Sequence, residues 1–449
     1  MKAYLVRYLM TACFFITPVL VGQWLSLPMS TALADEVKPL VTELTAQEKV
    51  LIAWVDQRQD AMIDELKSHV EINTGTENIA GLDQYRQLLN EELVKLGFAT
   101  QEHASESIEV LSCDGGQVNI ANHLSAKLSG GATQRVLING HMDTVFSADD
   151  EFQTLSILDD GTLKGPGVAD MKGGIVIMLN ALRALKSQGL LKDVNLTVLF
   201  NSDEEIGSLG SRELIEDIAK QHDIGLVFEG TYKNKVTRAR KGLGQARIRV
   251  MGRESHAGGA HEEGVSANLE LARKIVEIEG LTNYEEKLTV NTGVMRGGEK
   301  RNTVPGCADA YIDMRFPSRE GGEHLKSSIQ AVANKKHGEY ARYPALPSSE
   351  SWAVLHRPVK PQHPRVDELI AAAMGISDHL NQPIVGTRYS GGGTDGSIAQ
   401  GVGLPTMDSL GMDGVGAHSS REASSVLTLI ERTKLAAIML SRELVRPAP

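Results

Sequence analysis

The chain has 449 residues, of which 41% are hydrophobic and 23% charged. This is an ordinary globular balance, and the length suffices for two or three domains with a sizeable core. The formal net charge of −11 argues against a nucleic-acid partner on electrostatic grounds.

The N-terminal residues predict a secretory signal peptide, residues 1–34, cleaved near Ala34. Lys2 and Arg7 precede an apolar stretch at 9–21, and Ala32-Leu33-Ala34 then fits a small-x-small cleavage site. An uncleaved anchor helix is the alternative, but the apolar run is short for a membrane span. We therefore expect a secreted or periplasmic protein without membrane attachment after cleavage.

The chain beyond this segment contains two cysteines, Cys113 and Cys307. Two cysteines do not make a disulfide framework. Because they fall in segments that we assign to different domains, we expect no bridge between them.

The hydrophobic patterns predict alternating helices and strands in the first half of the chain. Helices are expected at 46–69, 83–96, 175–185 and 211–220, and strands at 109–118, 122–128, 135–139, 194–200 and 224–228, with a turn at 114–116 between or beside the first two strands. Because helices separate the last three strands, the sheet should be largely parallel and the fold class α/β.

Potential metal ligands follow each of these last three strands. His141 follows the first, the Glu204–Glu205 pair follows the second, and Glu229 follows the third. Each motif alone is more typical of a solvated loop. Three together indicate a site, since an α/β sheet places its site at the carboxyl ends of its strands.

Two aspartates adjoin these motifs. Asp143 lies two residues after His141, a spacing that lets its carboxylate accept the proton of the far imidazole nitrogen and fix the tautomer of a metal-bound histidine. Asp170 precedes the helix at 175–185. It is either an N-cap or a carboxylate held between two cations.

From Gly242 onward the pattern changes. Strands near 245–251, 288–294, 309–316 and 339–343 alternate with helices at 266–279 and 322–335, in the β-α-β-β-α-β order of a ferredoxin-like unit. The predicted domains are therefore a catalytic domain in two parts, 35–241 and 353–449, and an insert at 242–352.

Motifs along nearly all of the chain after the signal peptide resemble those of the co-catalytic di-zinc aminoacylase and carboxypeptidase family. They are Gly140-His141-Met142-Asp143, the segment 167–174, the segment 203–208, Ser255-His256-Ala257-Gly258, and the late His418. The resemblance implies a mainly parallel-sheet zinc-exopeptidase catalytic domain with an inserted ferredoxin-like α+β domain that serves as lid and dimerisation domain.

The resemblance also implies a role for each site residue. Asp170 bridges two zinc ions per subunit, His141 and Glu229 complete one shell, Glu205 and His418 complete the other, Glu204 is the general base, and Asp143 orients His141. The bond Asp170–Met171 is expected to be cis. A donor set of Asp, Glu and His without Cys suits zinc in a hydrolase better than structural zinc.

Further roles are implied for His256, which would reach across a homodimer to the oxyanion, and for Arg315, Asn302 and Gly393, which would contact the substrate. From the residues alone, His256 is better explained as a solvated histidine in a Gly-rich turn. Arg315 is equally a strand-edge salt bridge, or the bidentate donor that an α-carboxylate needs.

The predicted function is hydrolysis of the amide bond of a C-terminal amino acid, with glutamate expected, in a small N-acyl or peptidyl substrate. A water shared by two cations about 3.5–4 Å apart loses its proton readily. Glu204 would take that proton as the hydroxide attacks, then pass it to the leaving amine.

Two alternatives stay open: an aminoacylase or dipeptidase with another side-chain choice, and a metal-retaining but inactive binding protein. Glu204 argues against the inactive protein, which would have no use for a base. Lys235 and Arg357 lie near the family's positions for the glutamate side chain, but the basic segment 233–241 leaves the substrate open.

Overall fold

The structure, a computed structural model, describes residues 36–447 apart from Thr42, Val110 and Ser112. The predicted signal peptide lies outside these residues. The helices are α1 (Ala46–Asp56), α2 (Gln59–Val70), α3 (Ile79–Leu96), α4 (Lys172–Ser187), α5 (Arg212–Ala219), α6 (Ala267–Glu279), α7 (Arg319–Asn334), α8 (Pro364–Ser377), α9 (Asp395–Gly401) and α10 (Val426–Glu443), with 3-10 turns at Glu204–Ile206 and His261–Glu263.

The strands include short pairs as well as the long strands of two main sheets. They are β1 (Ala99–His103), β2 (Ile108–Glu109), β3 (Gln117–Val118), β4 (His123–Leu128), β5 (Arg135–His141), β6 (Ser156–Ile157), β7 (Thr162–Lys164), β8 (Asn195–Asn201), β9 (Ile224–Val227), β10 (Lys235–Arg240), β11 (Gly242–Met251), β12 (Ser255–His256), β13 (Thr289–Gly297), β14 (Thr303–Val304), β15 (Cys307–Phe316), β16 (Ser348–Arg357), β17 (Gly386–Ser390), β18 (Thr406–Met407) and β19 (Ala423–Ser425).

A six-stranded sheet runs in the order β1-β4-β8-β5-β9-β18. The strands β8, β5, β9 and β18 pair in parallel, whereas β1 and β4 add an antiparallel edge. Val136 and Ile138 pack into the core formed with α4 and α10, while Leu137 between them packs on the other face with α5 and α9. Helices therefore cover both faces, which explains the continuous apolar runs of these strands.

A four-stranded antiparallel sheet runs in the order β13-β15-β11-β16. Helices α6 and α7 pack against it around a separate apolar cluster that includes Ile248, Leu271 and Ile329. The chain order β11-α6-β13-β15-α7-β16 is the predicted β-α-β-β-α-β order.

The last strand of this sheet was predicted in the wrong place. Residues 339–343 form no strand, and β16 runs instead from Ser348 to Arg357. Its position follows from pairing with β11 rather than from its own composition. The predicted domain boundary near Trp352 lies within β16. Residues from Val37 onward belong to one compact unit. This division gives no boundary between a catalytic domain and an insert, so the predicted boundaries stay a prediction.

Two further predictions of local structure were wrong. The single helix expected at 46–69 is two helices, because the backbone leaves helical geometry at Arg58, with φ −120° and ψ 12°, a break that local periodicity does not show. The strand expected at 109–118 is only the short β2–β3 hairpin.

The expectation that Cys113 and Cys307 stay unpaired was also wrong, since they form a disulfide across 194 residues of sequence. Cys113 lies in the loop between β2 and β3, and Cys307 begins β15. The Cys113 backbone N–H also donates to Asp309 Oδ2 at 3.1 Å. Segments that we had assigned to different domains are therefore in direct contact.

Within the described part of the chain, no helix is both long enough and apolar enough to cross a membrane.

Candidate active site

The carboxyl ends of β5, β8 and β9 meet at one edge of the six-stranded sheet, because these strands are parallel neighbours. His141 ends β5, Glu204 and Glu205 lie in the 3-10 turn after β8, and Glu229 follows β9. The topology thus brings together side chains that are distant in sequence.

Two sets of side chains at this edge each offer ligand atoms within 4.8 Å of one another. They are His141, Asp170 and Glu229, and Asp170, Glu205 and His418. These are the two groups that the sequence analysis names, with Asp170 in both.

The two oxygens of Asp170 belong to different sets. Oδ1 lies 3.2 Å from His141 Nε2, and Oδ2 lies 3.2 Å from His418 Nε2. His141 Nε2 is also 3.6 Å from Glu229 Oε1, and His418 Nε2 is 3.2 Å from Glu205 Oε2. The Asp170–Met171 bond is cis, as predicted. The Asp170 carboxylate therefore offers one oxygen to each of the two candidate metal-ligand sets.

The pKa values of the residues in these two sets are shifted, because the carboxylates are buried and lie close to one another. Burial, together with the charge of Asp170, raises the pKa of Glu205 to about 8. Burial would raise the pKa of Asp170 too, but hydrogen bonds from His141 and His418 outweigh this and hold it well below its usual range. Hydrogen bonds to Asp170 and Glu205 raise the pKa of His418 to about 11.

Divalent cations would compensate this negative charge in place of protons. Three carboxylates and two imidazoles, with no thiolate among these ligand atoms, form a donor set that suits zinc in a hydrolytic site. The residues present therefore fit the predicted metal.

Asp143 is fully buried. It contacts His141, as its sequence spacing predicts, and it also contacts the turn that carries Glu204 and Glu205. His141 Nδ1 forms a hydrogen bond with the Asp143 backbone carbonyl at 3.0 Å and lies 3.3 Å from the carboxylate Oδ1, which leaves Nε2 for the ligand cluster. The backbone N–H groups of Glu204 and Glu205 also donate to the two oxygens of the Asp143 carboxylate, both at 3.1 Å. Sequence spacing indicated the contact with His141, but not these contacts to a turn 61 and 62 residues away.

Glu204 lies in the same cavity as the ligand sets. Arg357 Nη2 donates to Glu204 Oε1 at 2.5 Å, and Arg357 Nη1 pairs with Asp395 Oδ1 at 3.1 Å. Burial raises the pKa of Glu204 to about 7, although the positive charge of Arg357 opposes the rise. A carboxyl group with such a pKa can both accept and donate a proton near neutral pH.

Glu422, which the sequence analysis missed, anchors the loop that carries Asp170. Its carboxylate accepts the backbone N–H groups of Gly167, Ala169 and Asp170 at 3.1, 2.8 and 3.0 Å. No local motif marks Glu422, because its partners lie more than 250 residues earlier.

A cavity of about 600 Å³ opens beside the cluster. Arg315 and Gly393, both predicted to contact substrate, line it. Arg315 Nε donates to Asp313 Oδ2 at 2.6 Å, and its Nη1 donates to Gly391 O at 3.1 Å. Arg315 is thus both salt-bridged and available to the cavity.

His256 and Asn302 are not among the residues that line this cavity. His256 is exposed, and its Nδ1 accepts the backbone N–H groups of Gly258 and Gly259. Asn302 lies beside it, since its carbonyl accepts the Ala257 N–H at 2.9 Å. Within one chain, the structure does not bring these two residues to the metal ligands.

Comparison with known proteins gives a consistent result. The profile of Peptidase family M20/M25/M40 matches residues 137–442. The chain is 28% identical over 402 residues to carboxypeptidase G2 of Pseudomonas sp. (strain RS-16), covering 89% of this chain and 92% of that protein. It is 29% identical over 256 residues to acetylornithine deacetylase of Proteus mirabilis (strain HI4320), covering 54% and 64%.

The fold is also found in a solved structure, the di-peptidase Dug1p of Saccharomyces cerevisiae. The TM-score is 0.68 at 16% identity, covering 90% of this chain and 100% of that one. With the family profile spanning more than half of the sequence, the chain belongs to Peptidase family M20/M25/M40 and is a metal-dependent peptidase or amidohydrolase.

Proposed function

We propose that this protein releases a C-terminal amino acid, with glutamate as the first candidate, from small N-acyl or peptidyl substrates. The observation that carries the proposal is the meeting of two ligand sets on Asp170 beside Glu204 in one cavity. The relative named carboxypeptidase G2, similar along most of both chains, supports release of a C-terminal residue.

The proposed metal content is two zinc ions per subunit. His141, Asp170 and Glu229 would hold one, and Asp170, Glu205 and His418 would hold the other. Bound there, zinc would polarise the scissile carbonyl and lower the pKa of a water molecule.

Glu204 is the proposed general base. It takes a proton from the attacking water and passes it to the leaving nitrogen. Arg357 holds Oε1, whereas Oε2 forms no hydrogen bond with the residues that the structure describes. One oxygen is therefore fixed while the other is available to the substrate.

Arg315 and the backbone of Gly393 are the proposed site for the α-carboxylate of the leaving residue. Nε and Nη1 of Arg315 are occupied by Asp313 and Gly391, which orients the guanidinium and leaves Nη2 for the substrate. A planar guanidinium held in this way suits a carboxylate.

We further propose a homodimer through the four-stranded sheet. Strand β13 forms one edge of this sheet, and its Val294 and Met295 are 44% and 54% exposed. His256 and Asn302, which lie outside their own cavity, would then act in the cavity of a second copy.

Export is the proposed destination, through cleavage near Ala34 to a secreted or periplasmic form. The Cys113–Cys307 disulfide supports it, because disulfides persist mainly in oxidising compartments.

The test is an assay of zinc-loaded protein with an N-acyl-glutamate, before and after removal of the metal by a chelator. We expect chelation to abolish hydrolysis and added zinc to restore it. Glu204→Gln should keep its zinc while kcat/KM falls by about 10²–10⁴-fold. The exposed Glu213→Gln, in the first turn of α5, is the matched control. Turnover that survives both chelation and Glu204→Gln would overturn the proposal.

A second candidate is an aminoacylase or dipeptidase of different side-chain choice, favoured by the similarity to acetylornithine deacetylase. Release rates from matched N-acyl-Glu, N-acyl-Ala and dipeptide substrates separate the two. Equal rates for acidic and neutral leaving residues would remove the glutamate assignment.

A further inference from the structure

Arginines line the cavity beside the metal-ligand cluster, and carboxylates already pair with three of them. Arg240 forms a two-point contact with Asp408, through Nε at 2.9 Å and Nη2 at 3.0 Å. Arg357 pairs with Glu204 and Asp395, and Arg315 pairs with Asp313. Each of these three side chains thus has a carboxylate partner within the protein, although Nη2 of Arg315 forms no hydrogen bond with the residues that the structure describes.

Arg388, which also lines the cavity, differs from them. Its Nε donates to Thr237 Oγ1 at 3.0 Å. Neither of its Nη atoms forms a hydrogen bond or an ion pair with any residue that the structure describes. The outer edge of this guanidinium is therefore available to a ligand.

The position of Arg388 is fixed by the fold. It lies on β17, directly opposite Thr237 of the parallel strand β10. Thr237 is fully buried and its hydroxyl is held in turn by Ser409 Oγ at 3.0 Å. Because the guanidinium is oriented before a ligand binds, little side-chain entropy is lost on binding.

The surroundings favour an anionic ligand at this position. Arg388 is half-buried, so its charge has lost part of its hydration without gaining a carboxylate partner. Burial lowers its pKa, as does the nearby charge of Arg240, whereas the charges of Asp408 and Asp413, and to a smaller extent that of Glu229 in the ligand cluster, raise it. Arg388 thus lies within electrostatic range of the reacting centre.

We infer that Arg388 determines specificity by binding a second carboxylate, carried by the side chain of the leaving amino acid. The inference rests on the proposed function and narrows it to acidic leaving residues. Arg315 donates to the carbonyl of Gly391, three residues after Arg388, and both arginines line the same cavity. One takes the α-carboxylate and the other takes the side-chain carboxylate.

The test compares two substrates that share one acyl group and differ only in charge, N-acyl-Glu and N-acyl-Gln. Arg388→Met should lower the ratio of their kcat/KM values by about 10- to 100-fold, the range of a lost charge-assisted hydrogen bond. Arg388→Lys keeps the charge without the two-point geometry and should recover part of the ratio.

Arg249→Met is the matched control. Arg249 lies on β11, outside the cavity, and its replacement removes one arginine charge just as Arg388→Met does. The ratio of the kcat/KM values for N-acyl-Glu and N-acyl-Gln should not change in this control. An equal loss for both substrates in Arg388→Met would overturn the inference. A second pair of substrates, with a charged and a neutral acyl group on the same leaving residue, is the further check. If Arg388→Met lowers kcat/KM only for the substrate with the charged acyl group, the inference is overturned.

A binding experiment separates this inference from the hydrolytic function. Calorimetry on zinc-loaded Glu204→Gln protein should show tighter binding of free glutamate than of free glutamine, and adding Arg388→Met should remove the difference. Equal binding of the two amino acids overturns the role of Arg388 even if N-acyl-glutamate is hydrolysed. A difference that depends on Arg388 upholds the role even if the proposed hydrolysis fails.

Discussion

The six-stranded and four-stranded sheets both bury charged side chains, but they use them differently. At the carboxyl edge of the six-stranded sheet, carboxylates of like charge crowd together: Asp170, Glu205 and Glu229 meet with two histidines between them. Such a cluster is costly without a cation, since each charge is buried without full compensation.

In the four-stranded region, buried opposite charges on and beside α6 pair with one another. Lys274 and Glu270, one turn apart on α6, lie 3.2 Å from each other, and His337 lies 3.1 Å from Glu270. Lys274 Nζ also donates to Ala333 O at the end of α7. These charges join two helices. The comparison shows that burial of charge alone does not indicate a site, whereas like charges without full compensation do.

The largest effect is expected from removing the shared ligand. Asp170→Asn should reduce kcat/KM by at least about 10³-fold, or about 4 kcal/mol, because an amide cannot bridge two cations as a carboxylate does. Zinc content per subunit, measured by mass spectrometry, should fall with it. The same change in the other region, Asp309→Asn, should keep both zinc content and activity. Loss of zinc in Asp309→Asn would break the comparison.

Core truncation should give the next largest effect, on stability alone. Ile329 is fully buried between α7 and the four-stranded sheet, so Ile329→Ala should lower the free energy of unfolding by about 2–5 kcal/mol. Denaturant titration measures this. Zinc content and kcat/KM, assayed well below the unfolding temperature, should match the wild type. Val94→Ala, on an exposed face of α3, should cost less than about 0.5 kcal/mol.

The disulfide joins the β2–β3 hairpin to the four-stranded sheet, so removing it tests how far the two regions unfold together. Cys113→Ser with Cys307→Ser should lower the free energy of unfolding by about 2–4 kcal/mol. We expect calorimetry to resolve two transitions in the variant and one in the oxidised wild type. Wild-type protein in reductant should behave like the variant, and unchanged melting in both would contradict the prediction.

The smallest predicted effect is a pH dependence that arises on the six-stranded side. Burial lowers the pKa of His69 from 6.5 to about 4, and its Nδ1 lies 2.9 Å from the Tyr85 hydroxyl. The native state therefore holds His69 neutral, while the unfolded state gains a proton as the pH falls below 6.5. Stability is present above that pH and is lost towards pH 4, by up to about 3 kcal/mol.

Denaturant titrations at pH 7.5 and pH 4.5 check this. His69→Gln should lose less stability between the two pH values than the wild type does. His324→Gln, an exposed position on α7 in the other region, should leave the wild-type difference unchanged. Equal pH dependence in His69→Gln and wild type would show that His69 does not contribute.

The sequence predicted most of the candidate cluster because its residues follow strands with clear apolar runs. His141, Glu205 and Glu229 are placed by the rule that parallel strands end at one edge. The predicted position of the last strand of the four-stranded sheet was wrong, because pairing with β11 decides where β16 lies. The disulfide, the anchoring role of Glu422 and the available edge of Arg388 could not be predicted, since each depends on contacts between distant segments.

The contacts of Asp143 have a consequence for how this site can change. The Asp143 carboxylate accepts the backbone N–H groups of Glu204, the proposed base, and of Glu205, and it also accepts the Thr76 hydroxyl at 2.9 Å. The backbone carbonyl of Asp143 forms a hydrogen bond with the ring of His141. A displacement of Asp143 therefore shifts members of both ligand sets and the base in concert. A design that transfers this centre to another scaffold must therefore include Asp143 and Thr76. Without them, the transferred side chains would not keep their positions relative to one another.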